Sequence, residues 1–365
     1  MGELLSGRVL MLGCGALARE IALAIPPIVS RHDAALTLVI AGRSPDRARW
    51  LAQLVRARSF AGGTRLTVLS SELDWKNVDQ MAATIVAAAP TAILNTASLQ
   101  SPWTLGTADA WSQLVREGGY GVTVALQAAL LPALGRALKS ADTNAVVVNA
   151  CYPDVVNAGA RRMGVDIRCG IGNIALVAEL LRQHLAVAED CALRLLAGHW
   201  DVSQLSLTPE QRSDFPLVWE NGRAVEAERI CRAPRLSSDA TVNAFGAGTS
   251  AALMYALATN CDWSGHVPGP WGELGGYPVR FEAGRLRYDL PRNVTLDEAR
   301  RWNTERCERD GAFVEQGARV RFSAKAEALI RSVAPELAGG FDFKDVESAA
   351  RAFMELRDVM GKHVE

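Results

Sequence analysis

The sequence lacks the patterns that mark several large classes of enzyme. It contains no G-x-S-x-G segment of a serine hydrolase, no Walker-type lysine loop of a nucleoside triphosphatase and no C-x-x-C pair. The five histidines share no metal-ligand spacing, so we expect no bound metal. They are His32, His184, His199, His266 and His363.

Neither sign of charge dominates the chain. The 39 Lys and Arg residues nearly balance the 40 Asp and Glu residues, so there is no large basic field and we expect no nucleic-acid partner. No uninterrupted apolar run approaches the roughly 20 residues of a membrane span, which predicts no membrane association. Residues 1–5 lead directly into an apolar run, which leaves no room for a secretory signal.

Cysteine usage favours a reduced, cytoplasmic protein. The number of cysteines is odd and they are widely scattered, which is unlike a disulfide framework or a structural zinc site. They are Cys14, Cys151, Cys169, Cys191, Cys231, Cys261 and Cys307.

The N-terminus reads as a strand, a tight turn and a helix. The apolar run 8–12 leads into G-x-G-x-x-A, and residues 19–25 continue as a helix. In this pattern the first glycine permits the turn, the second lets backbone amides approach a pyrophosphate, and a small third residue lets the helix pack on the strand. The chain is therefore predicted to bind a dinucleotide through Gly13, Gly15, Ala16, Leu17 and Ala18.

The end of the second apolar run points to the kind of dinucleotide. NAD-binding versions of this pattern carry an acidic residue there, which grips the ribose 2′-hydroxyl. This chain has Gly42, followed by Arg43 and Ser44, with Arg47 one helical turn further on. These side chains suit a 2′-phosphate, so we predict NADP(H) in preference to NAD(H). A solvated loop arginine is the alternative for Arg43.

Strand-like and helix-like segments alternate over the first 150 residues. This alternation is typical of an α/β fold, a Rossmann-type doubly wound parallel sheet. The later pattern is mixed and predicts an α+β domain for substrate binding and oligomerisation, so the expected domains are 1–150 and 151–365. Further strands are expected at 36–41, 64–69, 91–95 and 145–148.

Two loops follow predicted strands at the edge where open α/β sheets bind ligands. We expect both to border the nicotinamide. The predicted cofactor contacts are Asn95, Thr96 and Ala97, and the predicted substrate contacts are Ser98, Trp103, Asn149 and Tyr152.

A glycine- and proline-rich segment, 265–278, is expected to be a loop between a helix at 247–258 and a strand at 279–282. His266 and Glu273 lie on it and are candidates for a lid or a subunit contact, with a plain surface loop as the alternative.

Two family resemblances follow from these motifs. Residues 1–105 resemble the NAD(P)-binding half of saccharopine-dehydrogenase-like oxidoreductases, through the 41–44 turn and the 94–97 strand end. From residue 145 onward the chain is distantly similar to the lactate/malate dehydrogenase superfamily. That similarity rests on the order of four motifs: Asn149 with Pro153-Asp154, Gly170-Ile171-Gly172, Ala197 to Asp201, and Gly275 to Val279.

The second resemblance implies a role for His199. It would be the general acid/base that protonates the oxygen or nitrogen formed when hydride reaches the neighbouring carbon. Histidine suits this task because its pKa lies near working pH. The alternative is a polar residue at a strand end beside Trp200.

Two departures from that superfamily bear on the substrate. Its aspartate that orients the histidine and its arginine that binds the substrate carboxylate are replaced by Leu176 and Glu179. Glu179 would repel a 2-oxo acid; it could attract an amine, an imine or a guanidinium, or orient His199. It could equally be a solvated helix residue. An ordinary lactate or malate dehydrogenase is not expected.

The sequence thus predicts an NADPH-dependent oxidoreductase that reduces a C=O or C=N bond of a small polar metabolite in a biosynthetic pathway. Two alternatives stay open: reductive C–N bond formation, as in saccharopine or opine dehydrogenases, and a cofactor-binding regulatory or partner protein with little catalysis. A homodimer is expected from the folds that the chain resembles.

Overall fold

The computed structural model describes residues 6–106, 108–185, 192–237, 239–315 and 317–361. Cys191 and His363 lie outside the described residues. The first half forms a six-stranded sheet, in the order β3-β2-β1-β4-β5-β6, with every neighbouring pair parallel. This strand order is that of a doubly wound dinucleotide-binding fold. The strands are β1 (Ser6–Leu12), β2 (Ala35–Gly42), β3 (Leu66–Glu72), β4 (Ala92–Asn95), β5 (Val146–Asn149) and β6 (Ile167–Gly170).

Helices cover both faces of this sheet. Apolar residues on both sides of β1 explain this: Leu10 and Leu12 belong to one buried cluster, whereas Val9 and Met11 belong to another. The helices of this half are α1 (Ala16–Val29), α2 (Pro45–Ala61), α3 (Val78–Ala88), α4 (Ala110–Gly118), α5 (Val124–Ala128), α6 (Leu131–Ser140) and α7 (Pro153–Arg162).

The described residues of the second half form three small antiparallel sheets. Its strands are β7 (Leu193–Leu196), β8 (Leu217–Glu220), β9 (Arg223–Val225), β10 (Trp263–Pro268), β11 (Gly276–Glu282), β12 (Arg285–Tyr288), β13 (Ala312–Val314), β14 (Arg319–Phe322) and β15 (Phe341–Asp342). Its helices are α8 (Asn173–His184), α9 (His199–Ser206), α10 (Ala227–Cys231), α11 (Val242–Thr259), α12 (Leu296–Arg309), α13 (Ala324–Val333) and α14 (Val346–Met360).

The predicted boundary at residue 150 does not coincide with the end of the large sheet. Strand β6 lies beyond that boundary and pairs with β5, so the sheet continues to Gly170. In addition, α11 packs across α1 and β1. The Thr91 hydroxyl donates to the carbonyl oxygen of Ala258 over 3.0 Å. A helix from the second half therefore covers one face of the sheet of the first half.

The segment Tyr120–Ser140 is long and apolar enough to cross a membrane by length and composition, with a mean hydropathy of 1.4. Within this segment, 67% of the most apolar stretch of 18 residues is buried inside the protein. The segment is not one continuous helix, because α5 ends at Ala128 and α6 begins at Leu131. The segment packs as a core element of the fold.

Candidate active site

The glycine turn lies between β1 and α1, as predicted. Gly13 has a φ of 117°, and a Cβ there would lie 2.4 Å from the Thr96 hydroxyl oxygen, so only glycine fits. A Cβ on Gly15 would meet nothing within 4 Å, which leaves the backbone open to a ligand. Ala18, on the buried face of α1, is 0% exposed. Because no side chain caps α1, its first amides are available to an anion.

Gly42, at the end of β2, lies against the Cys14 side chain. A Cβ on Gly42 would lie 2.7 Å from the Cys14 sulfur, so a larger residue there would require that side chain to move. Burial raises the pKa of Cys14, whereas the positive charges of Arg47 and Arg43 lower it. Both exposed arginines therefore lie within electrostatic reach of the turn. Ser44 caps α2 by accepting from the Arg47 amide over 3.4 Å.

A chain of buried amides joins the ends of β4 and β5. Asn95 donates to Asn149 over 3.0 Å, Asn149 donates to Asn157 over 2.9 Å, and Asn157 donates to the Gly269 carbonyl over 3.1 Å. The side-chain oxygen of Asn149 also accepts from the Cys151 amide. Asn95 and Asn149 are 0% exposed. The amide groups of Asn95 and Asn149 thus hold the strand ends together. The sequence had instead predicted Asn95 as a cofactor contact and Asn149 as a substrate contact.

The residues after β4 are better placed for a ligand. Thr96, Ala97 and Ser98 are partly exposed at the carboxyl edge of the sheet. Thr96 is anchored by its hydroxyl on the Leu12 carbonyl over 3.0 Å, which ties this loop to the end of β1. Trp103 packs against the apolar cluster around α8, so this loop reaches across to the second half. The crevice between β1 and β4 is where such sheets bind ligands.

His199 begins α9 and is held by a carboxylate that the sequence did not reveal. Its Nδ1 is hydrogen bonded to an Asp310 oxygen over 2.8 Å, and the same oxygen accepts from the Tyr152 hydroxyl over 2.8 Å. Because a carboxylate accepts, the proton of this hydrogen bond lies on Nδ1, and Nε2 takes no part in it. The His199 side chain is 20% exposed, whereas that of Asp310 is 4% exposed.

A second carboxylate lies beneath the same histidine. The Asp154 side chain accepts from the His199 amide over 3.1 Å and, with its other oxygen, from the Asn173 side chain. Burial raises the pKa of Asp154 to about 6. For His199, burial lowers the pKa, but the charges of Asp310 and Asp154 outweigh it and raise the pKa above its ordinary value of 6.5. The imidazole is thus disposed to carry a proton.

Aromatic rings fix the plane of the imidazole. Tyr120 stacks on His199 with ring centroids 4.3 Å apart, and Tyr152 meets it edge-on at 5.4 Å. Burial and the Asp310 charge raise the pKa of Tyr152 well above 10, so its hydroxyl keeps its proton. Tyr152 was predicted as a substrate contact; the structure instead shows its side chain 3% exposed and bonded to Asp310. Its φ of 45° is a strained value typical of functional sites.

The structure does not bring Glu179 to His199. Glu179 accepts from Gln183 on its own helix over 2.7 Å, while Asp310 takes the place beside the imidazole. Leu176, the other departure, is 8% exposed in an apolar cluster. Asp310 is separated from His199 by 111 positions and lies just after α12, so no local pattern in the sequence could associate the two.

The segment 265–278, predicted as a loop, is partly a buried strand. His266 lies in β10, is 7% exposed, and accepts from the Leu195 amide over 3.2 Å through Nε2. Burial and the positive charge of Arg182 lower its pKa to about 3. His266 is therefore a neutral core residue and not part of a lid. Glu273, on the same segment, binds Arg300.

Asp201 provides a test of the buried charges at this site. One of its oxygens accepts from the Gly198 amide over 2.9 Å, and the other has no partner among the described residues. Burial, partly offset by Arg306, raises its pKa to about 6. The folded protein therefore binds this proton more tightly than the unfolded chain, and stability falls as the pH rises from about 4 to 6.

We expect Asp201→Asn to raise the free energy of unfolding by about 1–3 kcal/mol at pH 8, because two pKa units correspond to roughly 3 kcal/mol. At pH 4 the gain should largely vanish, since the aspartate is then protonated in the folded state. Urea denaturation at both pH values measures this, with the exposed Asp33→Asn as control. A loss of stability at pH 8 would contradict the expected sign.

Comparison with solved structures identifies the fold, whereas comparison of sequences identifies no family. No protein-family model matches the chain, and no curated protein does. Among solved structures, malate dehydrogenase from Picrophilus torridus superposes with a TM-score of 0.56 at 14% identity, covering 89% of this chain and 99% of that one.

Two further solved structures agree with it. Lactate dehydrogenase from Cryptosporidium parvum gives a TM-score of 0.51 at 16% identity over 85% of this chain and 96% of its own. Malate dehydrogenase from the same organism superposes with a TM-score of 0.52 at 12% identity. The superposition covers 84% of this chain and 98% of that one. The predicted fold class is confirmed: the chain has the lactate/malate dehydrogenase fold along most of its length. The saccharopine-dehydrogenase-like resemblance of residues 1–105 stays a prediction.

Proposed function

We propose that this protein is a nicotinamide-dependent oxidoreductase that prefers NADP(H) and reduces a C=O or C=N bond of a small polar metabolite. The observation that carries the proposal is the pair of His199 and Asp310, joined over 2.8 Å in a fold whose glycine turn is built for a dinucleotide. A solved structure of the same fold, the Cryptosporidium parvum lactate dehydrogenase, is described as complexed with lactic acid and nicotinamide adenine dinucleotide.

The residues present fit such a cofactor. The open backbone at Gly15 and the uncapped start of α1 suit a pyrophosphate, and the exposed Arg43 and Arg47 suit a 2′-phosphate. When bound, the cofactor supplies the hydride. His199 holds a proton on Nδ1 towards Asp310 and presents Nε2, which donates a proton to the substrate oxygen or nitrogen. Asp310 and Tyr120 keep the ring in place for that transfer.

The preference for the 2′-phosphate can be measured directly. We expect Arg43→Ala to weaken NADPH binding by roughly 10-fold or more, the size of one lost charge-assisted contact, and to leave NADH binding nearly unchanged. Calorimetric titration of both coenzymes checks this, with the exposed Arg58→Ala at the far end of α2 as control. Equal affinities for NADPH and NADH in both the wild type and the variant would show that Arg43 does not bind the 2′-phosphate.

The reaction class is tested by NADPH oxidation with a panel of carbonyl compounds and imines. Turnover of at least one of them, lost on replacement of His199, supports an enzyme. Binding of the coenzyme with no turnover on any member would favour a regulatory or partner protein.

A further inference from the structure

Carboxylates outnumber cations around the His199 ring in the described part of the chain. Asp154 and Asp310 are 1% and 3% exposed, and both raise the pKa of the imidazole. The charge of Asp310 also raises the pKa of Asp154, so the two negative charges act within one region. Two carboxylates and one imidazolium together carry a net charge of −1 when all three groups are ionised. The reacting end of the substrate meets a negative field.

The arginines near this site are already engaged. Arg306 and Arg309 both pair with Asp214, the first over 3.0 Å, and Arg306 also donates to the Phe215 carbonyl over 2.7 Å. Arg357 reaches the loop after β4 but donates to the Leu99 carbonyl over 2.8 Å.

A cleft lined in part by Trp200 adds no net positive charge. Its volume is about 610 Å³. The cations and carboxylates that line it are equal in number: Arg116, Arg309, Lys325, Glu117, Glu305 and Glu308. It offers no net positive field for an anionic substrate.

From this charge arrangement we propose that the substrate carries a cationic nitrogen at or directly beside the reacting carbon, and no carboxylate there. An iminium ion and an amino ketone share this chemistry. In the first, hydride adds to the carbon, the C=N π pair becomes the nitrogen lone pair, and that nitrogen takes the proton of His199. In the second, the carbonyl oxygen takes the proton. In both, NADPH becomes NADP⁺ and His199 regains a proton from solvent. The inference rests on the proposed function.

Matched substrate pairs test the inference. We expect 1-pyrroline to be reduced at least tenfold more efficiently, in kcat/KM, than 1-pyrroline-2-carboxylate, and aminoacetone at least tenfold more efficiently than hydroxyacetone. Pyruvate and oxaloacetate should be the poorest substrates. The first pair isolates the carboxylate, and the second isolates the ammonium group. Equal or better turnover of the 2-oxo acids would overturn the inference while leaving a reductase in place.

Binding supplies a readout that does not depend on turnover. In calorimetry with NADP⁺ present, pyrrolidine, a cation at neutral pH, should bind at least tenfold more tightly than lactate. Asp154→Asn should reduce this ratio several-fold, whereas Asp297→Asn, an exposed carboxylate change on α12, should not. No preference for pyrrolidine overturns the inference. Preference for pyrrolidine with no NADPH oxidation by any substrate supports it and argues against the proposed function.

Discussion

Replacing His199 by glutamine is expected to slow turnover by about 10²-fold or more, because a positioned general acid contributes about that much. Glutamine can keep a hydrogen bond to Asp310, which holds the imidazole at 2.8 Å, but it cannot deliver a proton from the place of Nε2. NADPH binding should be unchanged, since the glycine turn between β1 and α1 forms a separate part of the site. Steady-state kinetics and coenzyme titration on the same preparation measure both effects.

His184→Gln is the matched control for this change. His184 is an exposed residue at the end of α8, so the same substitution there should leave both turnover and coenzyme affinity as in the wild type. Turnover within about twofold of the wild type in the His199 variant would exclude this residue from proton transfer. Loss of coenzyme binding would instead indicate that the variant is misfolded, which a thermal unfolding curve would show.

The parts of the site that the sequence predicts are those carried by local patterns. The glycine turn lies within six consecutive residues, and the close approach of Gly13 to Thr96 in the structure accounts for its conformation. His199 was placed by the order of several motifs. In the glycine turn, neighbouring residues in the chain are also neighbours in the structure, so spacing alone carries the information. For His199 the information was the order of motifs between residues 149 and 279, and its catalytic role stays a prediction.

Contacts between distant segments could not be predicted in this way. Asp310 reaches His199 across 111 positions, and α11 covers the sheet through contacts of Ala258 with Thr91 and of Tyr255 with Ala34. Nothing in the amino acids around Asp310 distinguishes it from a helix-terminal aspartate. Likewise, glycine and proline residues near His266 suggested a loop, whereas pairing with β11 makes that segment a buried strand.

The resemblance led us to expect an orienting aspartate at the position of Leu176 on α8, which is buried in an apolar cluster. The carboxylate beside the imidazole instead comes from Asp310, at the end of α12. The pH dependence of the proposed reduction should show how far the Asp310 carboxylate controls the pKa of His199.

Asp310→Asn is expected to shift the pH dependence of reduction to lower pH. Asp310 and Asp154 raise the pKa of His199 against the effect of burial, so the proton donor persists to a higher pH in the wild type. Reduction should then fall as pH rises through that raised pKa. Without the Asp310 charge the fall should come about 1–3 pH units earlier, the usual effect of one close carboxylate, with a loss of about 10-fold per unit at pH 8.

Tyr152→Phe separates charge from packing in this experiment. It removes the second hydrogen bond to the Asp310 oxygen but keeps the carboxylate, so the pKa of His199 should stay raised and the profile should not move to lower pH. Titration of the His199 ring protons by NMR gives the same comparison without substrate. If the asparagine variant retained the wild-type profile and the wild-type ring titration, Asp310 would be a structural residue, and the proton held by His199 would be controlled by Asp154 alone.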